Sequence, residues 1–292
     1  MRASTFIGLP LCTRSNSFGM ATAVKVLRES GIVFGAENNT PFVDCGDVQL
    51  SEIRTDSGPE NLKNFPQFIA DSKRIQTAVA EVGGEELMLA LGGECSICIG
   101  TLAGLKSKIG GEAGIVWIDA HGDFNTPDTT PSGYIGGMCL ALACGRGPKL
   151  TGIVREGVHL LREENVVHVA NRALDPEESK AMLSSRMKVY STAKLREEGV
   201  ESTVGSAALQ LADRCDWIGC HLDADSIDPT IMPAVNFPAQ DGLTLEETRN
   251  IVDAVQRTGK LKLFELAGYN PDLDQNQTSA TKLVRLAADL FT

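Results

Sequence analysis

Aspartates and one histidine are concentrated directly after two short apolar segments of the chain. In VWIDAHGDF, Asp119, His121 and Asp123 alternate, and in HLDADSID, Asp223 and Asp225 alternate. If strand geometry continues through each motif, alternate side chains point the same way, so four carboxylates and an imidazole share one rim. Carboxylates packed this closely repel one another unless cations lie among them. The pattern therefore predicts a site for two divalent ions that share carboxylate ligands.

The ligand types narrow the choice of metal. Mixed carboxylate and imidazole ligands suit Mn²⁺ and leave Zn²⁺, Fe²⁺, Co²⁺ and Ni²⁺ open. A single aspartate would be explained more simply as a helix cap or a solvated loop charge. Five ligand-type residues at two strand ends favour a metal centre.

The elements that position these residues follow from hydrophobic periodicity. Short apolar runs alternate with segments of helical period, which predicts a doubly wound α/β fold whose parallel strands are joined by crossover helices. Strands are predicted at 4–10, 86–92, 114–119, 166–170, 187–191, 217–223 and 261–267. Helices are predicted at 20–29, 67–82, 97–108, 136–144, 176–184, 203–212, 245–256 and 278–290. Residues 31–61 are weakly patterned and read as a loop excursion, so we expect one domain over 1–292.

Composition limits the class of partner. The chain has 292 residues, 42% of them hydrophobic, which is enough for a substantial core. Its net charge is −11, from 27 Lys and Arg against 38 Asp and Glu, so neither nucleic acid nor an anionic membrane is expected as a partner. No apolar run approaches the roughly 18 residues that span a bilayer, and Pro10 interrupts the first apolar stretch. We expect a cytoplasmic protein with a small-molecule substrate and reduced cysteines.

Three motifs resemble those of a known enzyme family. GGECS at 92–96, DAHGDFN at 119–125 and HLDADSIDP at 221–229 are similar to GGDHS, DAHxDxN and DxDxxDP of the arginase, agmatinase and formiminoglutamase family. The TTPSG segment at 129–133 and the NP pair at 270–271 agree. The resemblance implies a three-layer α/β/α fold and a homo-oligomer, commonly a trimer or hexamer. It also implies two Mn²⁺ ions that activate a bridging hydroxide to hydrolyse a C–N bond at an amidino carbon.

The resemblance also implies a ligand set. The first metal would be bound by Cys95, Asp119, Asp123 and Asp223, and the second by Asp119, His121, Asp223 and Asp225. Asp123 would in addition pass a proton toward the leaving amine. Cys95 stands where the family has a histidine. A thiolate there would leave the cluster more negative and favour softer metals, and the alternative is a small buried residue that faces away.

The resemblance extends to residues that hold the far end of an amino-acid substrate. Asn125, Thr130 and Ser132 match residues that bind an α-carboxylate. Asp175 matches the acid that meets the α-amino group, although an aspartate before Pro176 is also a common helix N-cap. The substrate is therefore expected to be an α-amino acid.

The head-group end departs from the arginase pattern. Gly136 replaces a histidine of the proton shuttle, and Tyr134 replaces an asparagine. Gly268 replaces the glutamate that grips the guanidinium, and Phe237 replaces a threonine of the cavity. We expect Gly268→Glu to shift preference toward arginine, and Glu265 is the next candidate for a guanidinium anchor.

These departures lead to a specific expectation about substrate. We predict a ureohydrolase that cleaves a guanidino or N-hydroxyguanidino amino acid, because the ligand cysteine and the GYxGG loop are similar to a minor branch that hydrolyses N-hydroxyarginine. A plain arginase, a formiminoglutamase and a non-catalytic homologue remain open. His159 and His168 are expected to be structural, whereas His221 is a candidate for indirect support of the metal ligands.

Overall fold

The computed structural model describes residues 4–32, 42–84, 86–155 and 158–289. The strands are β1 (Ser4–Leu9), β2 (Phe42–Asp47), β3 (Met88–Gly92), β4 (Ala113–Ile118), β5 (Val166–Asn171), β6 (Lys188–Ser191), β7 (Trp217–Asp223) and β8 (Leu261–Ala267). They form one sheet in the order β2-β1-β3-β8-β7-β4-β5-β6. Every neighbouring pair is parallel, as the alternation of apolar runs and helical segments predicts.

Helices cover both faces of this sheet. Those in the described residues are α1 (Ala23–Glu29), α2 (Phe65–Val82), α3 (Cys98–Ile109), α4 (Cys139–Ala143), α5 (Pro176–Ser184), α6 (Thr192–Glu198), α7 (Val200–Arg214), α8 (Leu245–Gln256) and α9 (Thr278–Asp289). One hydrophobic cluster joins the sheet to α2, α3 and α4, and a second joins the other face to α1, α6, α7, α8 and α9. The expectation of a three-layer α/β/α fold is confirmed.

The segment 31–61 was wrongly interpreted as a loop excursion, because it contains β2. This strand pairs only with β1 and reads FVDCGD, with Gly46 at a φ of 76°. An edge strand buries few side chains, so it lacks the apolar run that marks the central strands. Helix α6 was also not predicted, since it is only seven residues long. Residue 290 of the last predicted helix lies outside the described residues.

Capping groups set two helix starts that the sequence predicts. In α8 the Thr244 hydroxyl accepts from the Glu247 amide at 3.0 Å, and Glu247 accepts from the Thr244 amide at 2.8 Å. In α5 the Glu178 carboxylate accepts from the Asp175 amide at 3.2 Å. These bonds satisfy amide groups that have no partner within the helix.

The sheet order brings β3, β8, β7 and β4 together at its centre. Their carboxyl ends therefore share one edge, and the loops that follow Gly92, Ile118, Asp223 and Ala267 meet there. All eight cysteines are free thiols in the structure. In the described part of the chain, every helix is too short or too polar to cross a membrane.

Candidate metal centre and active site

The ligand-type residues meet at the carboxyl edge of β4 and β7, which are neighbours in the sheet. Strand β4 ends at Ile118 and β7 ends at Asp223, so strand geometry does not continue through either motif. Asp123 has a φ of 49°, in the left-handed region. The predicted alternation is therefore not the reason for the clustering, which comes instead from irregular backbone beyond the two strand ends.

Two sets of side chains lie within ligand distance of one another. Within each set the candidate ligand atoms are no more than 4.8 Å apart, and the sets are Cys95, Asp119 and Asp223, and Asp119, His121 and Asp225. Asp119 belongs to both sets, whereas Asp223 belongs only to the first. Asp123 belongs to neither, and its Oδ2 accepts from the Cys139 thiol at 3.5 Å.

Hydrogen bonds hold these ligand atoms in place. Asp119 Oδ1 accepts from the His121 amide at 2.7 Å, and Asp119 Oδ2 accepts from Trp117 Nε1 at 3.1 Å. His121 Nδ1 lies 3.1 Å from Asp225 Oδ2. The Asp225 amide donates to Asp223 Oδ1 at 2.8 Å. Each carboxylate is thus oriented before any ion binds.

The electrostatics of the cluster favour added positive charge. Burial raises the pKa of Asp123 and Asp225 well above the usual range, and neighbouring carboxylates raise them further. Burial and the charge of Asp223 do the same to the pKa of the Cys95 thiol. Among the carboxylates of the cluster, Asp119 alone has a lowered pKa, of about 2, because hydrogen bonds and charge from His121 outweigh its burial. This donor set of thiol, imidazole and buried carboxylates fits divalent transition metals.

The cluster opens into a cavity of about 290 Å³ that also contains all four predicted substrate-tail residues. Asn125 Nδ2 donates to Asp175 Oδ2 at 3.0 Å, and Asn125 Oδ1 accepts from Thr129 at 2.9 Å. The Thr130 hydroxyl accepts from the Gly133 amide at 3.0 Å. Asp175 is therefore both the N-cap residue of α5 and a fixed carboxylate of the cavity.

Comparison with known proteins matches the chain to one family. The Arginase family profile covers residues 2–292. The chain belongs to the arginase family. It is 33% identical to the arginase of Bacillus subtilis over 251 residues, which is 85% of this chain and 83% of that protein. Members of the family hydrolyse C–N bonds of linear amidines, and this chain is a hydrolase of that class.

Solved arginase structures are similar over the full length. The arginase of Bacillus caldovelox has a TM-score of 0.92 at 29% identity, covering 100% of this chain and 98% of that one. The Entamoeba histolytica arginase in complex with L-ornithine has a TM-score of 0.90 at 25% identity, covering 100% and 99%. The resemblance stated from the motifs is confirmed.

The structure bears on two expectations about the head-group end of this arginase-family site, and it contradicts the one for Glu265. Gly268 has a φ of 83°, and a Cβ there would lie 2.0 Å from Asp223 Oδ1, so a glutamate at this position would displace a candidate ligand. Glu265 is fully buried outside the cavity and pairs with His221 Nδ1 at 2.7 Å and with Thr101. It is therefore not available as a guanidinium anchor.

The remaining histidines lie outside the cavity. His221 stacks on Trp117 with ring centroids 3.7 Å apart, and Trp117 in turn donates to Asp119. His221 thus supports a candidate ligand indirectly. His168 is buried within β5 and His159 is exposed, and neither lines the cavity.

Arg14 lines the cavity and was missed by sequence reasoning. Its guanidinium carbon lies 4.0 Å from the ring centroid of Tyr134 and 4.5 Å from that of Phe237. The available signal was its place in the loop that follows β1. The carboxyl end of β1 lies at the same sheet edge as the metal motifs.

Proposed function

We propose that this hydrolase cleaves the amidino C–N bond of an α-amino acid whose head group is an N-hydroxyguanidine in preference to a guanidine. The observation that supports this proposal is the set of carboxylates that line the cavity. Two of these carboxylates, apart from the metal-ligand candidates and Asp175, which is assigned below to the α-ammonium group, lie in the described residues and already have partners. Glu94 accepts from Thr13, and Glu178 accepts from the Phe124 amide.

A guanidinium normally needs such a carboxylate as a bidentate partner. An N-hydroxyguanidine is much less basic and can enter as a neutral molecule. The open space beside Gly136, where a Cβ would meet nothing within 4 Å, could accommodate its hydroxyl.

We assign the metal site to the six clustered residues. Cys95, Asp119, His121, Asp123, Asp223 and Asp225 would hold two divalent cations, with Mn²⁺ the first choice and softer ions favoured by the thiol. When bound, these cations supply Lewis acidity and lower the pKa of a coordinated water.

The chain's own groups would orient the substrate and move a proton. Asp123 lines the cavity beside the other candidate ligands, so we assign to its carboxylate the transfer of a proton to the leaving amine nitrogen. At the other end, Thr130 and Ser132 hydroxyl oxygens accept from backbone amides, so their own O–H groups are free to donate to a carboxylate. Asp175 would bind the α-ammonium group.

The proposal is tested by comparing kcat/KM for N-hydroxyarginine and arginine with the Mn²⁺-loaded protein. Loss of a charged partner in a desolvated site costs about 2–5 kcal/mol, so we expect N-hydroxyarginine to be preferred by roughly 30-fold or more. Release of hydroxyurea and of urea measures the two reactions separately. Turnover of arginine at least as efficient as that of N-hydroxyarginine would overturn the proposal.

Arginine itself is the second candidate substrate, because the similar proteins described above are arginases. The same assay separates the two, and formiminoglutamate belongs in it as a third substrate. A protein that binds metal and turns over none of them would be a non-catalytic homologue. A trimer or hexamer and a cytoplasmic location remain predictions from the sequence.

A further inference from the structure

We propose that Arg14 binds the α-carboxylate of the amino-acid substrate at the cavity that holds the metal-ligand cluster. This inference deepens the proposed function and rests on its assignment of an α-amino-acid substrate. It assigns the carboxylate a direct charged partner, in addition to the hydroxyl groups of Thr130 and Ser132.

The first observation is that the guanidinium lies over two aromatic rings. The Arg14 Cζ atom lies 4.0 Å from the Tyr134 centroid and 4.5 Å from the Phe237 centroid. Contact through ring faces holds a guanidinium by its planar surface and leaves its N–H groups at the edge. The two rings therefore position the group without using its hydrogen bonds.

The second observation is that, among the described residues, no carboxylate forms a direct ion pair with the guanidinium, although the buried Glu94 lines the same cavity. Among the described residues, the only side-chain acceptor of Arg14 is Asn16 Oδ1, which takes the Nε proton at 3.3 Å, and no carboxylate forms an ion pair with it. The four terminal N–H donors therefore remain available. A fork of paired N–H donors matches the two oxygens of a carboxylate.

The third observation is that the aromatic platform is fixed from outside the cavity. The Tyr134 hydroxyl donates to Asp56 Oδ2 at 2.6 Å, and the Ser15 amide donates to Asp56 Oδ1 at 3.3 Å. Asn64 Nδ2 donates to the Thr13 carbonyl at 2.9 Å. Asp56 thus ties the ring to the loop that carries Arg14, so the guanidinium is held in place before substrate binds.

The fourth observation is the charge pattern of the cavity wall. Arg14 supplies a positive charge and Asp175 a negative charge, and both line the cavity that contains the metal-ligand cluster. The Tyr134 amide donates to the Ser132 hydroxyl oxygen at 3.4 Å, so the Arg14 platform is continuous with the TTPSG segment. Glu94 and Glu178 also line this cavity. Arg14 and Asp175 together offer one cation and one anion that match the carboxylate and ammonium of a zwitterionic amino acid.

The test compares ligands that differ only by the carboxylate. L-Ornithine and 1,4-diaminobutane are titrated by calorimetry into Mn²⁺-loaded wild-type protein and into Arg14→Met and Arg14→Lys. A hydrogen bond to a charged group is worth about 1.5–3 kcal/mol, so Arg14→Met should weaken ornithine binding about 10- to 150-fold. Binding of diaminobutane should stay within about two-fold, and Arg14→Lys should give an intermediate loss for ornithine because a point charge replaces the fork.

Lys63 provides the matched control. Its Nζ lies 4.5 Å from the centroid of the same Tyr134 ring, but Lys63 does not line the cavity. Lys63→Met should leave both affinities within about two-fold of wild type. Equal weakening of both ligands by Arg14→Met, or ornithine binding that Arg14→Met leaves intact, would overturn the proposal.

Binding and turnover separate this inference from the proposed function. If the wild-type protein turns over neither N-hydroxyarginine nor arginine, the proposed function fails, and ornithine binding still reports on Arg14. If wild-type protein binds ornithine no more tightly than diaminobutane, the role of Arg14 fails whatever the turnover. Thermal unfolding of each variant verifies that the fold is intact.

Discussion

The Sγ atom of Cys95 lies 2.7 Å from Oδ2 of Asp223, although the two residues are 128 positions apart in the chain. The contact joins the loop after β3 to the end of β7, two strands that are separated in the sheet by β8. A thiolate and a carboxylate at this distance would repel unless a proton or a cation lay between them. The thiol of Cys95 therefore faces the ligand cluster, contrary to the alternative that it is a small residue facing away.

Cobalt spectroscopy should show whether this thiol binds metal. Titration of the metal-free protein with Co²⁺ should give a sulfur-to-metal charge-transfer band in wild type that Cys95→Ser abolishes. Cys220→Ala is the control, since Cys220 is also buried but belongs to the cluster on the other face of the sheet. A band of full intensity in Cys95→Ser would exclude the thiolate ligand.

Replacement of the shared carboxylate should remove both ions together. Asp119 is common to the two candidate ligand sets, so Asp119→Asn should reduce Mn²⁺ content from two per chain to near zero. Asp223→Asn tests the bridging role that the family resemblance implies for Asp223. Elemental analysis measures both, with the exposed Asp128→Asn as control. One ion retained at full occupancy in Asp119→Asn would contradict the shared-ligand assignment.

Metal removal should make stability depend on pH in a defined direction. Burial and repulsion raise the folded-state pKa values of Asp123, Asp223 and Asp225 above their ordinary 3.8. Stability contributed by a group with a raised folded pKa is present below the unfolded value and lost as pH rises through the folded value. The pKa of His121 acts in the same direction, because the charges of Asp225 and Asp119 raise it to about 12 despite the burial of the ring.

We therefore expect the metal-free protein to be less stable near about pH 9 than near about pH 6, by roughly 1 kcal/mol or more. Because ligands must be deprotonated to bind, Mn²⁺ affinity should rise over the same range. Urea unfolding and calorimetric titration measure the two effects. Higher stability of the metal-free protein at the alkaline end would contradict the assignment of raised pKa values.

Central elements of the fold could be predicted because they carry a strong local signal. Strands β7 and β8 occur at the predicted residues, since a strand buried on both faces reads as a continuous apolar run. The candidate metal ligands could be located for a related reason, because two of their motifs directly follow such strands. Strand β2 could not be predicted because it lies at the sheet edge, and helix α6 could not be predicted because it is short.

The tail end of the cavity depends on contacts that no local pattern reports. Tyr134 and Asp56 are 78 positions apart, and Arg14 meets Tyr134 from a third loop. Loops have no period, so the sequence does not indicate which of them meet. Gly268 was interpreted from the sequence by the side chain that it lacks. The structure shows that a positive φ and the short distance to Asp223 favour glycine there, and neither can be read from the sequence.

Replacement of two glycines at the head-group end by alanine should affect stability to different extents. Gly268→Ala forces a Cβ to within 2.0 Å of Asp223 Oδ1 at a φ of 83°. It should lower stability by about 1–3 kcal/mol and reduce metal content. Gly136→Ala, with nothing within 4 Å, should change stability by less than about 1 kcal/mol. Urea unfolding and metal analysis distinguish them, and full metal content in Gly268→Ala would refute the steric argument.

Asp175 should affect both candidate substrates equally, because its proposed contact is with the amino-acid end they share. Its carboxylate is fixed by Asn125 at 3.0 Å, so Asp175→Ala removes a charged partner of the α-ammonium group and also frees the amide. A hydrogen bond to a charged group is worth about 1.5–3 kcal/mol, so kcat/KM should fall about 10- to 150-fold for N-hydroxyarginine and for arginine alike. Asp175→Asn keeps the shape and a helix-capping group, and it should lose nearly as much activity if charge is what matters. Thermal unfolding separates a capping effect from a binding effect. A loss confined to one of the two substrates would place Asp175 at the head group and would require the substrate to bind in the opposite direction.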